Sequence, residues 1–229
     1  MSAQPLVSVV VPTLDAARYL EDALDSIESQ SYPHREIVLV DGGSSDGTLE
    51  IAGRYADLRI IYQTGTGLAD AWNCGIEGSA GELVAFLDGD DLWEPAKLER
   101  QVGVLVAESA ADCAITRMRF ALEPGFTIPP GFRPELLDSD HVANMPSALL
   151  ARRSLFERIG TFDTRWAIAS DIDWFARVKD AGLRVELVDE VLVIKRVHDT
   201  NLSTLGGAKL NAELVEVLRE SVARRRKRA

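Results

Sequence analysis

The segment with the clearest chemical potential is an acidic cluster, Asp88-Gly89-Asp90-Asp91, which directly follows the apolar run Leu83–Leu87. Three carboxylates within four residues repel one another, and a divalent cation would neutralise them. Carboxylates on a loop favour hard ions such as Mg²⁺ or Mn²⁺, which keep open positions for phosphate oxygens. The alternative is that these acids cap the helix beginning near Pro95, whose N-terminal dipole favours negative charge. The cluster alone leaves both hypotheses open.

A second candidate segment is Asp41–Thr48, with the sequence DGGSSDGT, which follows the apolar run Ile37–Val40. Glycines let a backbone approach a ligand closely, and Asp41 could accept a hydrogen bond from a nucleotide base or ribose. The alternative is an ordinary strand-to-helix turn with Asp46 as the helix cap. The nearby Gly65-Thr66-Gly67 lacks the third glycine of a dinucleotide fingerprint, so NAD binding is not predicted.

Alternating strands and helices must position these two segments. The predicted strands are Val7–Val11, Ile37–Val40, Leu58–Tyr62 and Leu83–Leu87, and the predicted helices are one with Leu20, Ala23, Leu24 and Ile27 on one face, then 48–56, 68–80 and one from Pro95. Strands that are apolar on both faces and alternate with helices predict an α/β fold, with a mostly parallel central sheet covered by helices on both faces. Ligands of such sheets bind at the carboxyl ends of the strands, where Pro12-Thr13, Asp41 and the acidic cluster lie.

The second half of the sequence changes character. Prolines and glycines between Ala121 and Leu136 predict a loop over the sheet. The elements predicted after it are helices at 154–159 and 171–181 with Gly182 as the cap, a strand at 191–197 and a final amphipathic helix carrying Leu210, Leu214, Val217 and Leu218. We expect one unit over 1–229, with a first half at about 1–110, a second half at about 111–205, and a C-terminal helix with a basic tail at 206–229.

Composition narrows the class of protein. The chain has 229 residues, 46% of them hydrophobic, and a net charge of −11, which fits a soluble globular protein and argues against a nucleic-acid partner. Two cysteines without nearby ligand partners indicate a reducing compartment, and no signal peptide or membrane span is recognised, so we expect a cytoplasmic protein. The basic run 224–228 has two interpretations: a solvated helix end that complements the helix dipole, or a weak peripheral contact with anionic lipid at the inner face of the membrane.

Taken in order, several segments resemble the family-two glycosyltransferases of the GT-A fold. They are VVVPT at 9–13, EIVLVDGGSSDGT at 36–48, GLADAWNCGI at 67–76, GELVAFLDGDD at 81–91, RRSLFERIGTFD at 152–163, SDIDWFAR at 170–177 and KRVHDTNLS at 195–203. Together they cover about Pro5 to Ser203. Segments in this order and at this spacing are far more specific than any one of them.

The resemblance implies an enzyme that moves a sugar from a nucleotide donor to an acceptor hydroxyl with inversion of the anomeric configuration. The leading candidate for the donor is a UDP-sugar. The acceptor would be a glycan, a lipid-linked molecule or a small molecule, and the cofactor Mn²⁺ or Mg²⁺. Asp171 would be the general base, and the basic residue Lys195 would approach the phosphates. The implied donor contacts are Pro12, Thr13, Asp41, Ser44, Asp70, Asn73, Asp88 and Asp91, and the implied metal ligands are Asp88, Asp90 and His198.

The sequence departs from the family at position 170, where Ser170 replaces the usual Glu. Asp173 is therefore a second candidate base, although a helix turns it away from the side on which Asp171 lies, and an orienting role is the stronger hypothesis. Two alternatives to the enzyme remain. One is a non-catalytic nucleotide-sugar-binding module, which the replacement at Ser170 would suit. The other is a sugar nucleotidyltransferase, which needs a basic glycine-rich loop that is missing after the first strand.

Four further side chains are candidates for contacts with sugars or the acceptor. Trp93 and Trp166 lie beside the site segments and could stack on a sugar ring, whereas Trp72 and Trp174 are predicted to be core residues. The segment from about Phe120 to Met145 has no family match and is the predicted acceptor region. Its candidate contacts are His141 and Asn144.

Overall fold

Within the described residues, nine strands join in one mixed sheet. The computed structural model describes residues 4–108, 110–199, 201 and 207–228. The strands are β1 (Val7–Thr13), β2 (Arg35–Asp41), β3 (Leu58–Tyr62), β4 (Leu83–Phe86), β5 (Leu92–Trp93), β6 (Cys113–Leu122), β7 (Asp140–Val142), β8 (Leu150–Arg152) and β9 (Val185–Val197). The α-helices are α1 (Leu20–Glu28), α2 (Thr48–Ala52), α3 (Leu68–Gly78), α4 (Lys97–Ala107), α5 (Arg153–Ile159), α6 (Ser170–Asp180) and α7 (Gly207–Arg226), and short 3-10 helices cover Pro134–Asp138 and Pro146–Ala148.

The sheet has a parallel half and a mixed half. Its strand order is β3-β2-β1-β4-β8-β6-β9-β5, and β7 pairs with β6 outside this path. Strands β1 to β4 are mutually parallel, as the sequence predicts. Strand β8 is antiparallel to both β4 and β6, whereas β6 and β9 pair in parallel and β5 is antiparallel to β9. The acidic cluster therefore lies between β4, near the middle of the sheet, and β5 at one edge.

Helices cover both faces of the sheet. Val9 of β1 packs in a cluster with α1, α2 and α4, and Val10 packs in a second cluster with α3, α5 and α6. This alternation follows from strand geometry, in which successive side chains point to opposite faces. Trp72 and Trp174 are both buried in the second cluster, so the prediction that they are core residues is confirmed.

The mixed half is where the sequence-based prediction of elements was incomplete. Strand β6 was missed, and it extends to Leu122, so the predicted loop begins later than expected. Strand β9 starts at Val185 rather than Val191, since charged residues at Glu186, Asp189 and Glu190 interrupt its apolar pattern. Helix α2 ends at Ala52, four residues before the predicted end, because the chain turns at Gly53.

The C-terminal helix α7 packs on α6 through polar contacts. Ser221 donates to Asp180, and Arg224 donates to the other oxygen of the same carboxylate, each at 2.9 Å. Arg228 also donates to the carbonyl oxygen of Asp180. One of the two interpretations of the basic run is a solvated helix end. Part of the run instead binds α6. None of the helices in the described ranges is both long and apolar enough to cross a bilayer.

Candidate active site

The carboxyl ends of three parallel strands bring the predicted site segments together. Thr13 at the end of β1 is in register with Asp41 at the end of β2, and Asp88 follows β4, which pairs with β1 on its other side. Pro12 and Thr13 are both buried, and the Thr13 hydroxyl donates to the carbonyl oxygen of Val40 at 3.4 Å. The strand order therefore places these segments at one edge, as the sequence analysis expects.

The three carboxylates of the acidic cluster converge. One oxygen from each of Asp88, Asp90 and Asp91 lies within 4.8 Å of the others. The Asp88 side chain is 19% exposed, and its Oδ1 atom is buried without a hydrogen-bond partner among the residues that the structure describes. A buried oxygen without a partner is costly unless a ligand satisfies it. This donor set, with one unused carboxylate oxygen, fits a hard divalent cation such as Mg²⁺ or Mn²⁺.

A lysine from β9 lies against the acidic cluster. The Lys195 Nζ atom is 2.9 Å from Asp91 Oδ2 and 3.7 Å from Asp88 Oδ2. Asp91 has no exposed side-chain surface, and it also accepts hydrogen bonds from the Ser147 hydroxyl at 3.2 Å and the Arg196 N–H at 3.3 Å. The Asp91 carboxylate is thus fully engaged within the protein, and its contact with a donor stays a prediction.

The cluster shifts the ionisation of its members. Burial raises the pKa of Asp88 to about 6 and that of Asp91 to about 7, with neighbouring carboxylates adding to the shift and Lys195 opposing it. Burial also opposes ionisation of Asp90, but the hydrogen bond with His198 and the charge of Lys195 lower the pKa of Asp90. Although burial acts against its charge, the carboxylates of Asp91, Asp88 and Asp90 raise the pKa of Lys195. The site therefore favours a positive charge at its centre.

His198 lies next to Asp90, as a ligand of the same cation would. Its Nε2 atom is 3.2 Å from Asp90 Oδ2, and its ring stacks on Tyr19 with centroids 4.4 Å apart. Asn201, which the sequence analysis did not single out, donates to the same Asp90 oxygen at 3.1 Å and accepts from the His198 backbone N–H at 2.7 Å. The location of His198 suits its predicted role, which stays a prediction.

The Asp41 carboxylate shapes the turn that follows β2. It accepts hydrogen bonds from the backbone N–H groups of Gly43 and Ser44 at 2.9 and 3.0 Å and from the Ser44 hydroxyl at 2.5 Å. Gly43 has φ +95°, a conformation that glycine adopts without strain. Asp46 accepts from the Thr48 N–H at 2.9 Å, but the N-cap of α2 is Gly47, and no side chain caps this helix within the described residues. The segment therefore forms a strand-to-helix turn, but the prediction that Asp46 is its helix cap was wrong. Nucleotide contacts by Asp41 and Ser44 stay predictions.

Helix α3 carries Asp70 and Asn73. Asp70 accepts a hydrogen bond from the Gly65 N–H at 2.9 Å. The Asn73 amide forms a reciprocal pair with the Phe162 backbone: its Nδ2 donates to the carbonyl oxygen at 2.8 Å, and its Oδ1 accepts from the N–H at 2.9 Å. Asn73 thereby ties α3 to the segment that precedes α6, a contact for which the sequence carries no local signal.

Replacing Asn73 with alanine is expected to destabilise the protein by about 2–3 kcal/mol, because two hydrogen bonds are lost and two backbone groups of Phe162 lose their partners. Chemical denaturation measures this change, with the exposed Asn144→Ala as a control that should change stability by less than about 0.5 kcal/mol. Titration with UDP then tests the predicted nucleotide contact. An unchanged affinity in the folded Asn73→Ala protein would leave Asn73 only its role in stability.

Asp171 is in the first turn of α6 and is half-buried. Burial raises the pKa of Asp171 to about 6, although a hydrogen bond from the Ile172 N–H opposes the shift. The charge of Asp171 contributes to the raised pKa of Asp88, and the charge of Lys195 lowers the pKa of Asp171, so Asp171 lies near the acidic cluster. Asp173, in contrast, is buried and accepts from Arg177 Nε at 2.8 Å. The orienting interpretation of Asp173 therefore fits its contacts better than a role as base.

Glu213 of α7 fixes the backbone just before α6. Its carboxylate accepts hydrogen bonds from the N–H groups of Ala167, Ile168 and Ala169 at 3.1, 2.9 and 2.9 Å. These groups are at the positive end of the α6 dipole, where a carboxylate is favoured. The sequence analysis missed Glu213, since its partners are more than 40 positions away along the chain.

The two tryptophans proposed as sugar platforms are buried. Trp93 is 3% exposed, and its indole N–H donates to the carbonyl oxygen of Ser147 at 2.8 Å. Trp166 is 9% exposed and packs against Ala169 and Val217. Neither ring offers a face to a sugar, so the stacking hypothesis was wrong for both. Both residues border site segments in sequence, but the sequence does not reveal that β9 and α7 cover them.

The predicted acceptor contacts lie on and after β7. His141 Nε2 is 3.0 Å from the carbonyl oxygen of Leu136, and its ring meets Phe120 edge-on with centroids 5.6 Å apart. Asn144 is exposed. The roles of His141 and Asn144 stay predictions.

Comparison with known proteins gives related sequences and folds. Residues 8–173 match the sequence model of the family described as glycosyl transferase family 2. A glycosyltransferase of Rickettsia typhi is 32% identical over 208 residues, covering 85% of this chain and 65% of that protein. This chain thus spans about two thirds of the length of that relative.

Two solved structures are similar in fold. Staphylococcus aureus TarS in complex with UDP-GlcNAc superposes with a TM-score of 0.75 at 20% identity, covering 95% of this chain and 66% of that one. A mannosyltransferase from Pyrobaculum calidifontis in complex with GDP-Man and Mn²⁺ has a TM-score of 0.64 at 25% identity, covering 84% and 57%.

Proposed function

Because this chain belongs to glycosyl transferase family 2, we propose that it transfers a sugar from a nucleoside diphosphate donor to an acceptor hydroxyl with inversion of configuration. Its fold is of the GT-A type, as the resemblance in sequence implies. The observation that supports the proposal is the convergence of three carboxylates at the carboxyl ends of the central strands, with the half-buried Asp171 near enough for its charge to help raise the pKa of Asp88. A catalytic base and a seat for a metal-bound diphosphate are the two parts that such a transfer needs.

Asp171 is proposed to act as the general base. Its carboxylate takes the proton of the acceptor hydroxyl while the acceptor oxygen forms a bond to the anomeric carbon of the sugar. The bond from that carbon to the diphosphate oxygen breaks on the opposite face, and its electron pair leaves with the nucleoside diphosphate. A single in-line displacement inverts the anomeric configuration.

The proposed metal ligands are Asp88, Asp90 and His198, and the metal is Mn²⁺ or Mg²⁺. A cation bound there would stabilise the negative charge of the departing diphosphate. The unused Oδ1 atom of Asp88 supports this assignment. Asp90 and His198 already contact each other, which orients both side chains before any ligand binds.

The donor is proposed to be a UDP-sugar, held by Pro12, Thr13, Asp41, Ser44, Asp70, Asn73, Asp88 and Asp91. The TarS complex contains UDP-GlcNAc and the mannosyltransferase complex contains GDP-Man, so a panel of donors should include both bases. Stabilisation against heat in the presence of Mn²⁺ measures donor binding, because a ligand that binds only the folded state raises the melting temperature. If no UDP-, GDP- or TDP-sugar stabilises the protein or is hydrolysed by it, the proposed function fails. Binding without hydrolysis or transfer would favour a non-catalytic module.

The pH dependence of transfer tests the role of Asp171. Burial raises the pKa of Asp171 to about 6, and only the ionised carboxylate accepts a proton. We therefore expect kcat to rise about tenfold per pH unit below pH 6 and to level off above it. The measurement uses saturating donor and metal, with metal binding titrated separately at each pH. A flat kcat profile between pH 5 and 7 would argue against Asp171.

The organisation of the chain and its surroundings are also proposals. We divide it into a nucleotide-sugar-binding half at about 1–110, an acceptor and catalytic half at about 111–205 that includes His141 and Asn144, and the C-terminal helix with its basic tail. We propose a cytoplasmic enzyme with a glycan, a lipid-linked molecule or a small molecule as acceptor and no nucleic-acid partner.

A further inference from the structure

The C-terminal helix α7 has an exposed apolar stripe. Val215, Leu218 and Val222 are 47%, 62% and 43% exposed. Their spacing of three and then four residues puts them on one face of a helix with roughly 3.6 residues per turn. The opposite face carries Val217 and Ser221, which are buried against α6 and its preceding loop. One face of α7 therefore packs against the rest of the protein, and another presents apolar side chains to solvent.

Basic residues flank this stripe. Arg219, Arg225 and Arg226 lie beside it on the same exposed half of the helix, and Lys227 continues the basic run. Arg226 and Lys227 make no ion pair within the described residues. Arg225 is 56% exposed even though it pairs with Asp180. Arg219 pairs with the exposed Glu216, a contact that contributes little in water.

Two of the three acidic residues of α7 are engaged away from the stripe, and the third, Glu216, pairs with Arg219. Glu213 binds the backbone before α6, and Glu220 lies 3.4 Å from Arg165 and 3.6 Å from Arg224. The stripe is therefore bordered by positive charge, although the protein as a whole is acidic. Because Asp180 pairs with Arg225 and Glu216 with Arg219, the positive charge without a partner among the described residues is that of Arg226 and Lys227. Carboxylates elsewhere on the protein act weakly at this surface, since salt limits electrostatic forces to about 8 Å in physiological solution.

We propose that the exposed face of α7 docks on an anionic lipid bilayer, with Val215, Leu218 and Val222 in the interface and the arginines at the headgroups. An apolar stripe edged by arginines is the pattern of helices that lie in a membrane interface. A soluble protein partner would need an apolar groove surrounded by acidic groups. An anionic bilayer has negative headgroups above an apolar interior over its whole surface. The proposal goes beyond the proposed function and does not depend on it.

Vesicle flotation without any donor tests the proposal. The protein should bind vesicles made of phosphatidylcholine and phosphatidylglycerol in equal parts and should not bind phosphatidylcholine alone, and binding should weaken as salt rises. Leu218→Glu, and separately the double variant Arg226→Gln and Lys227→Gln, should each weaken binding by about tenfold. Val106→Glu is the matched control, since Val106 is 58% exposed on α4, and it should bind as the wild type does.

Three results would overturn the proposal: no binding of the wild type to anionic vesicles, equal binding by Leu218→Glu, or equal loss in the Val106→Glu control. Sedimentation in the absence of lipid addresses the other occupant, a second copy of this chain. A dimer that Leu218→Glu dissociates would assign the stripe to self-association instead. Donor hydrolysis in solution is measured on the same preparations, so failure of the proposed function remains distinguishable from failure of membrane docking.

Discussion

Asp171→Asn is expected to slow sugar transfer by about 10²–10⁴-fold while leaving nucleotide and metal affinity close to the wild type. An amide has the size of the carboxylate but cannot take the acceptor proton. The N–H of Ile172 can still find an acceptor in the amide oxygen, so the start of α6 should be retained. Single-turnover transfer with saturating donor separates this loss from any change in binding.

Asp173→Asn is the control for the identity of the base. Asp173 is buried and pairs with Arg177, and Arg224 lies 3.6 Å from its other oxygen. Weakening this arrangement should lower the melting temperature, because one charge of a buried pair is removed. If Asp171→Asn turned over normally and a folded Asp173→Asn protein did not, the base would be Asp173.

Asp90→Ala and Asp88→Asn are each expected to reduce the metal-dependent affinity for UDP by more than about 100-fold. Loss of a residue that only hydrogen-bonds a metal ligand typically costs roughly 10–100-fold, and these changes remove a proposed ligand itself. Each change removes one proposed ligand charge from the acidic cluster. Calorimetric titration of UDP with and without Mn²⁺ measures the effect. Asp140→Asn, which alters an exposed carboxylate paired with Arg119, serves as the control. Unchanged binding by Asp90→Ala would remove Asp90 from the metal site.

Although Asp88→Asn should weaken binding of UDP with metal, it should stabilise the metal-free protein against unfolding. The pKa of Asp88 is raised in the folded state to about 6, so the folded protein binds a proton more tightly than the unfolded chain does. Stability from this group is complete below the unfolded pKa and is lost as pH rises through about 6. At pH 7.5 the metal-free variant should therefore gain about 1–3 kcal/mol, or several degrees in melting temperature. The gain should vanish near pH 4, and a gain that persisted there would have another cause.

The edge at which the site forms could be predicted because it depends on strand order. Apolar runs before Thr13, Asp41 and Asp88 predict parallel strands, and parallel strands end at one edge. The fold class followed from the same runs. The proposed role of Asp171 rests on the family resemblance and could not be predicted from the apolar runs.

The contacts that cross the chain could not be predicted in this way. Lys195 reaches Asp91 because β9 pairs with β5, and nothing local in the sequence indicates that pairing. Trp93 sits beside the acidic cluster in sequence, yet the 3-10 helix at Pro146–Ala148 provides the carbonyl oxygen that holds its indole. Burial of a side chain is a property of what packs over it, and the covering elements come from distant parts of the chain.

The contact between Lys195 and the acidic cluster affects how the folded protein should respond to removal of metal. The Lys195 ammonium group serves as an internal counter-ion for Asp91 and Asp88, so the acidic cluster is partly neutralised before any metal arrives. If the proposed metal binds there, chelating agents are expected to remove it without unfolding the chain, unlike domains that a structural zinc ion holds together. A diphosphate that draws the ammonium toward itself would at the same time uncover the carboxylates for the cation. Metal and nucleotide would then each bind more tightly in the presence of the other.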